Sequence, residues 1–253
     1  MRLALIVSAM LVFASASARA EDGSELWLRY RLTRARLAEY RKAIRSVSIP
    51  AGSPTLSAAG EELVRGLRGI LGNSVPLADD LREGALIVVG TRASSTQVAA
   101  LGLASALTTA GPEGYIMRTV SIAGKHAIVI AANSDIGALY GTFASLRELQ
   151  AEHGIGLMSI ASAPKIQVRM FDHWDNIDRS VERGYAGSSL WEWDQLPNTI
   201  SARYKDYARA NASIGINGAA LTNVNSNARF ISAEYLPKGR LPECYVRMAC
   251  VCT

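Results

Sequence analysis

The sequence predicts an α/β fold built as two successive units, and three observations carry that prediction. Apolar residues recur at steps of three and four in several segments, as on one face of a helix, and these segments alternate with short β-prone runs. The connection Ala123-Gly124-Lys125 joins two such runs as a hairpin. After Pro164 the pattern restarts as strand, helix and strand, the rhythm of a parallel sheet.

Taken in order, Glu25 to Arg31 is a short extended start, and Leu37, Tyr40, Ile44 and Val47 form one helical stripe. Ile49 to Pro54 breaks it, and Leu63, Leu67, Ile70 and Leu71 make a second stripe that stops at Gly72. Ala85 to Val89 is a continuous apolar run ended by Gly90, as expected of a strand covered on both faces. A helix is expected from Thr96 to Leu107, and hairpin strands at Tyr115 to Ile122 and His126 to Ala132. Asn133 or Ser134 can cap the next helix, whose stripe is Ile136, Leu139, Tyr140, Phe143 and Leu146.

Ser162-Ala163-Pro164 is the expected boundary, because Pro164 cannot continue a helix. Beyond it come a strand (Ile166 to Phe171), a long loop (Asp172 to Thr199), a helix (Ser201 to Ile214) stopped at Gly215, and a strand (Gly218 to Thr222). A loop (Asn223 to Ile231) and the start of a helix (Ser232 to Leu236) follow.

Both ends depart from this pattern. Arg2, the apolar run Leu3 to Phe13 and Ala18-Arg19-Ala20 have the order of a secretory signal peptide, so residues 1–20 are expected to be removed and the protein exported to periplasm or medium, not held in a membrane. At the other end, residues 237–253 hold all three cysteines, Cys244, Cys250 and Cys252, without helical or strand period, and read as an aberrant tail. The net charge of +5 sits largely at these ends: Arg2, Arg19, Lys238, Arg240 and Arg247 lie outside residues 21–236, against the single acid Glu243, which leaves the body at +1. A body so nearly neutral speaks against a nucleic-acid partner. The 49% hydrophobic content excludes a disordered chain.

Chemistry concentrates where the first strand of the second unit ends, in Phe171 to Gly187. Loops at the C-terminal ends of parallel strands build ligand sites, and the next strand ends similarly in Asn223-Val224-Asn225-Ser226-Asn227. Trp174 can stack on a sugar ring or be buried as core. His173 with Asp175 or Asp178 is a candidate acid/base or metal pair, but it lacks a second imidazole, so no metal is expected. Glu182 and Arg183 are expected to hold the loop by ion pairing, and Asn223 and Asn225 to bind hydroxyls or cap loops.

These residues carry a resemblance. HWDNIDRSVERGYAGSSLWEW (residues 173–193), YARANASIGINGAALTNVNSN (207–227) and EDGSELWLRY (21–30) resemble the secreted or periplasmic bacterial α-glucuronidases of glycoside hydrolase family 67, in the same order over residues 21–236. The resemblance implies an N-terminal α/β domain over 21–160, similar to the non-catalytic domain of β-hexosaminidases, then a (β/α)8 TIM barrel. It also implies removal of 4-O-methyl-glucuronic acid from xylo-oligosaccharides with inversion and without a cofactor. Trp174 falls on the family's substrate-stacking tryptophan, and Val224 on an apolar residue that restricts the pocket.

A whole barrel takes ~250 residues, whereas residues 165–236 supply two strands and one full helix. The barrel is therefore expected to be incomplete. The general acid and base of an inverting glycosidase are implied to lie beyond the end of the chain, with no catalytic residue assigned within it, so a chain inactive by itself is expected. The family's dimerising C-terminal domain has no counterpart, and no homodimer is expected. A non-catalytic carbohydrate-binding or structural module is the competing expectation.

Overall fold

The computed structural model describes residues 23, 25–78, 86–122, 124–222, 225–239 and 251–252. The segment read as a signal peptide, Ala85, Asn223, Val224 and residues 240–250 of the tail lie outside the described residues.

The first unit opens with α1 (Leu37–Ala43), shorter than its stripe suggests. The chain turns extended at Ile44, and Val47 lies in strand β1 (Ser46–Ser48). Pairing decides this: Val47 lies opposite Ile87 of the next strand, its N–H donates to Pro76 O, and its β-branched side chain suits a pleat better than a helix. Helix α2 (Pro54–Leu71) starts earlier than its stripe. Ser53 caps it by accepting from Leu56 N–H, Pro54 occupies the first turn, and Gly72 at φ 68° ends it.

Strand β2 (Leu86–Thr91) is buried throughout, as its apolar run predicts. The single helix expected next is two, α3 (Thr96–Ala100) and α4 (Ala104–Ala110), because Gly102 takes φ 65° between them. Strands β3 (Tyr115–Ile122) and β4 (Lys125–Ala132) form the expected antiparallel hairpin. Ser134 caps α5 (Asp135–Gln150), and β5 (Ser159–Ser162) closes the sheet in the order β1-β2-β4-β3-β5.

β1, β2 and β4 are parallel, and β3 runs against β4 and β5. Alternation along β2 divides the core. Ile87 and Val89 face Leu63, Leu67 and Phe143 of α2 and α5, while Leu86 and Val88 face Val98 and Leu107 of α3 and α4. Glycine permits the close α2–α5 contact, since a Cβ on Gly66 would stand 2.5 Å from the Leu146 side chain.

The second unit is a βαβ step. β6 (Met170–Asp172) is shorter than expected because Ile166 and Val168 are exposed and unpaired with the sheet; α6 (Ala202–Ser213) follows, capped by Ser201, and β7 (Gly218–Ala220) returns parallel to β6. In place of the helix expected at Ser232 are a 3-10 turn (Ala228–Ile231) and the short α7 (Leu236–Gly239). Part of the tail departs from expectation too: Val251–Cys252 forms β8, parallel to β7.

Helix α6 joins the units. Ala208 packs with Trp191, Trp193 and Tyr204, whereas Ala212 belongs to the core of the first unit. Buried Arg209 grips Glu62 of α2 with both ends of its fork (2.7 and 2.9 Å), and Tyr30 donates to the same carboxylate. Burial and the Glu62 charge push the Tyr30 phenol far above its usual range, keeping it a donor. A second tie runs from Arg169 to Glu113, with Asn217 donating to that carboxylate. Among the described residues no helix is long and apolar enough to cross a membrane.

Candidate functional site

The main chain leaves β6 with His173 N–H still bonded to Ala220 O (2.9 Å). His173 turns inward. Its Nε2 lies 2.6 Å from the Tyr207 hydroxyl of α6, and its ring packs on Trp191 and Tyr207 at centroid separations of 5.2 and 5.3 Å. Asp175 also turns inward, 3% exposed, and accepts from the Ser189 hydroxyl, which in turn accepts from Trp191 N–H. Trp174 lies between them and is 41% exposed.

The loop beyond is tied to itself. Glu182 N–H donates to Trp174 O (2.8 Å), and the Asn176 amide donates to Glu182 O (2.7 Å) and Ser180 Oγ (3.1 Å). Asp178 accepts from both N–H and hydroxyl of Ser180, bonds that hold its carboxyl below the usual carboxylate range. Arg179 and Glu182 adopt left-handed φ of 70° and 58°, and Gly184 and Gly187 supply two further positive φ turns. The expected Glu182–Arg183 anchoring is replaced: Glu182 accepts from the Tyr185 hydroxyl (2.9 Å), and an ion pair of the loop is Arg179–Glu192 (3.6 Å).

Of the residues singled out in the sequence, Trp174 is presented outward and His173 and Asp175 are brought together, their Nδ1 and Oδ1 3.8 Å apart. Asp178 is occupied in its own turn. Val224 and Asn223 lie outside the described residues, and Asn225 is exposed in the neighbouring loop. Burial depresses the His173 pKa, with Asp175 and Asp172 opposing, so the imidazole is neutral at pH 7. Among the described residues no group of three or more His, Cys, Asp or Glu could hold a metal.

The supporting shell of Tyr207, Trp191, Tyr204 and Ser189 escapes the sequence reading, although Trp191-Glu192-Trp193 and the i, i+3 pair Tyr204 and Tyr207 mark an aromatic cluster. The arrangement offers an exposed indole face on a rigid mount, suited to stacking on a sugar ring. A separate cleft of about 740 Å³ lies at the junction of the units, among Trp27, Tyr140, Arg147 and Ser213, and no residue of the Trp174 loop lines it.

Residues 26–145 match the glycosyl hydrolase family 67 N-terminus, and residues 148–244 the glycosyl hydrolase family 67 middle domain. The chain is 35% identical to alpha-glucuronidase A of Emericella nidulans over 247 residues, which is 92% of this chain and 28% of that protein. It is 34% identical to the probable alpha-glucuronidase A of Neosartorya fischeri, over 85% of this chain and 25% of that one. The chain thus spans about a quarter of the length of the curated relatives it matches. A solved family GH115 4-O-methyl-alpha-glucuronidase shares the fold, with a TM-score of 0.54 at 17% identity, over 79% of this chain and 27% of that one. The chain belongs to glycosyl hydrolase family 67, of which it carries the N-terminal and middle-domain sequence.

Proposed function

We propose that this chain is part of an exported α-glucuronidase that hydrolyses 4-O-methyl-glucuronic acid from glucuronoxylan-derived xylo-oligosaccharides with inversion, and that Trp174 forms one wall of its sugar site. The observation that carries the reading is Trp174 itself: an indole 41% exposed at the end of a parallel strand, between two inward-turned and anchored neighbours, in a family of glycosyl hydrolases. In this reading β6, α6 and β7 begin a (β/α)8 barrel, the first unit is the hexosaminidase-like domain, and Val224 narrows the pocket from the adjoining loop.

Three carboxylates that follow Trp174 in its loop are otherwise engaged. Asp175 is buried on Ser189, Asp178 closes a turn and Glu182 holds Tyr185. An inverting pair must stand ~6.5–9.5 Å apart across the bond with water between, and we assign it to none of these three. The substrate half of the proposal is tested by titrating the 253-residue chain with a methylglucuronic-acid-bearing xylotriose and with neutral xylotriose, following tryptophan emission and product release. Preferential binding of the acidic sugar, weakened about tenfold or more by Trp174→Ala, is expected, with no release of methylglucuronic acid. Equal affinity of the Trp174→Ala protein would overturn the stacking role, and measurable turnover would overturn the assignment of acid and base elsewhere.

A further inference from the structure

The sequence positions Trp174 on a loop, yet both of its chain neighbours are anchored to other parts of the second unit. His173 is bound through its backbone to Ala220 of β7 and through its ring to Tyr207 of α6. Asp175 is bound to Ser189, and its backbone pairs across a bridge with Val181. With His173 and Asp175 both turned inward, Trp174 between them is presented outward, 41% exposed.

His173 and Tyr207 share one hydrogen bond whose direction follows the imidazole tautomer. Asp175 can only accept, so the His173 proton is best placed on Nδ1, which faces that carboxylate at 3.8 Å. Nε2 then accepts from the Tyr207 hydroxyl. Tyr207 is in turn fixed by its helix, for Arg209, two residues on, is clamped to Glu62 of the first unit. A continuous line of packed and hydrogen-bonded groups therefore runs from the first unit through α6 and His173 to the root of Trp174.

We propose that His173 and Tyr207 are positioning residues for Trp174: they do not touch the sugar, but hold the stretch of backbone from which the indole is presented to it. The role in sugar binding rests on the stacking function proposed above; the role in holding the indole does not. Removing the Tyr207 hydroxyl or the His173 ring loosens the root of Trp174 while leaving Trp193, which packs on Phe230, in place.

The test is indole ¹⁵N relaxation in the labelled 253-residue chain, with the Trp174 resonance identified by its loss in Trp174→Phe. In Tyr207→Phe and His173→Ala the Trp174 indole heteronuclear NOE is expected to fall towards that of a free side chain, while that of Trp193 keeps its wild-type value. His173→Gln, whose amide can still accept from Tyr207, is expected to recover most of the loss. An unchanged Trp174 NOE in both Tyr207→Phe and His173→Ala overturns the proposal, and so does an equal fall at Trp193, which marks general loosening. Titration with the acidic xylotriose is the second arm. Tyr207→Phe is expected to weaken binding about three- to tenfold, less than Trp174→Ala. If Trp174→Ala binds normally while the NOE pattern holds, the stacking reading fails and the positioning of the indole stands.

Discussion

At the scale of single residues, His173 shows how burial changes what a side chain does. Next to Asp175 and Asp178 in the sequence it resembles half of an acid/base or metal pair, but its ring is packed between Trp191 and Tyr207, and burial lowers its pKa below the usual value near 6.5. The unfolded chain then takes up a proton near pH 6.5 that the folded chain refuses until a lower pH. Stability is therefore indifferent to His173 above that value and falls as pH drops through the window below it. Urea titrations of the wild-type chain and His173→Gln between pH 7.5 and 5 are expected to show this component of the acid-side slope in the wild type and its absence in the variant. Identical slopes would contradict a depressed His173.

Trp174 was legible in the sequence as an aromatic at a strand end, since strand ends of parallel sheets are where sites form. Its presentation was not, because it depends on Tyr207 and Ser189, 33 and 15 residues away in sequence.

At the scale of elements, α6 is decisive. Its residues Ala208 to Ser213 are all buried, which no amphipathic stripe announces, because one face meets the Trp191 cluster and the other the first unit. The Arg209–Glu62 pair sits in that second contact with side chains only 8% and 3% exposed. Taking away one partner of a buried pair leaves an unpaired charge, so Arg209→Leu is expected to cost about 3–5 kcal/mol. The double variant Glu62→Leu/Arg209→Leu should regain most of that, since it buries no lone charge. Chemical denaturation of the two proteins measures both; a loss below about 1 kcal/mol in Arg209→Leu would show the pair to be dispensable.

Elsewhere the elements follow local signals closely. Ser53, Ser134 and Ser201 cap helices, Gly72 ends one, and the hairpin at Gly124 turns at φ 77°. The exceptions are instructive: α1 ends early because β1 pairs with β2, and the helix expected over 96–107 divides at Gly102.

At the scale of the whole molecule, the first unit has sheet, two helical layers and two cores of its own, whereas the second borrows half the burial of its one long helix. Residues 25–163 expressed alone are therefore expected to unfold cooperatively with native far-UV circular dichroism. Residues 164–253 alone are expected to lack a cooperative transition and to regain one when mixed with the first unit, through α6. An independent, equally sharp transition of the second piece would refute this dependence.

The sequence by itself determined which segments are helix or strand, where most of them stop, and the family to which the chain belongs, because periodicity, caps, glycine stops and motif strings are properties of neighbouring residues. The tertiary structure alone decided that α6 is clamped between two units, that His173 is a half-buried hydrogen-bonding group, and that Trp174 faces outward. Each of these rests on contacts between residues far apart in the chain, whose burial and pairing energies no local pattern records.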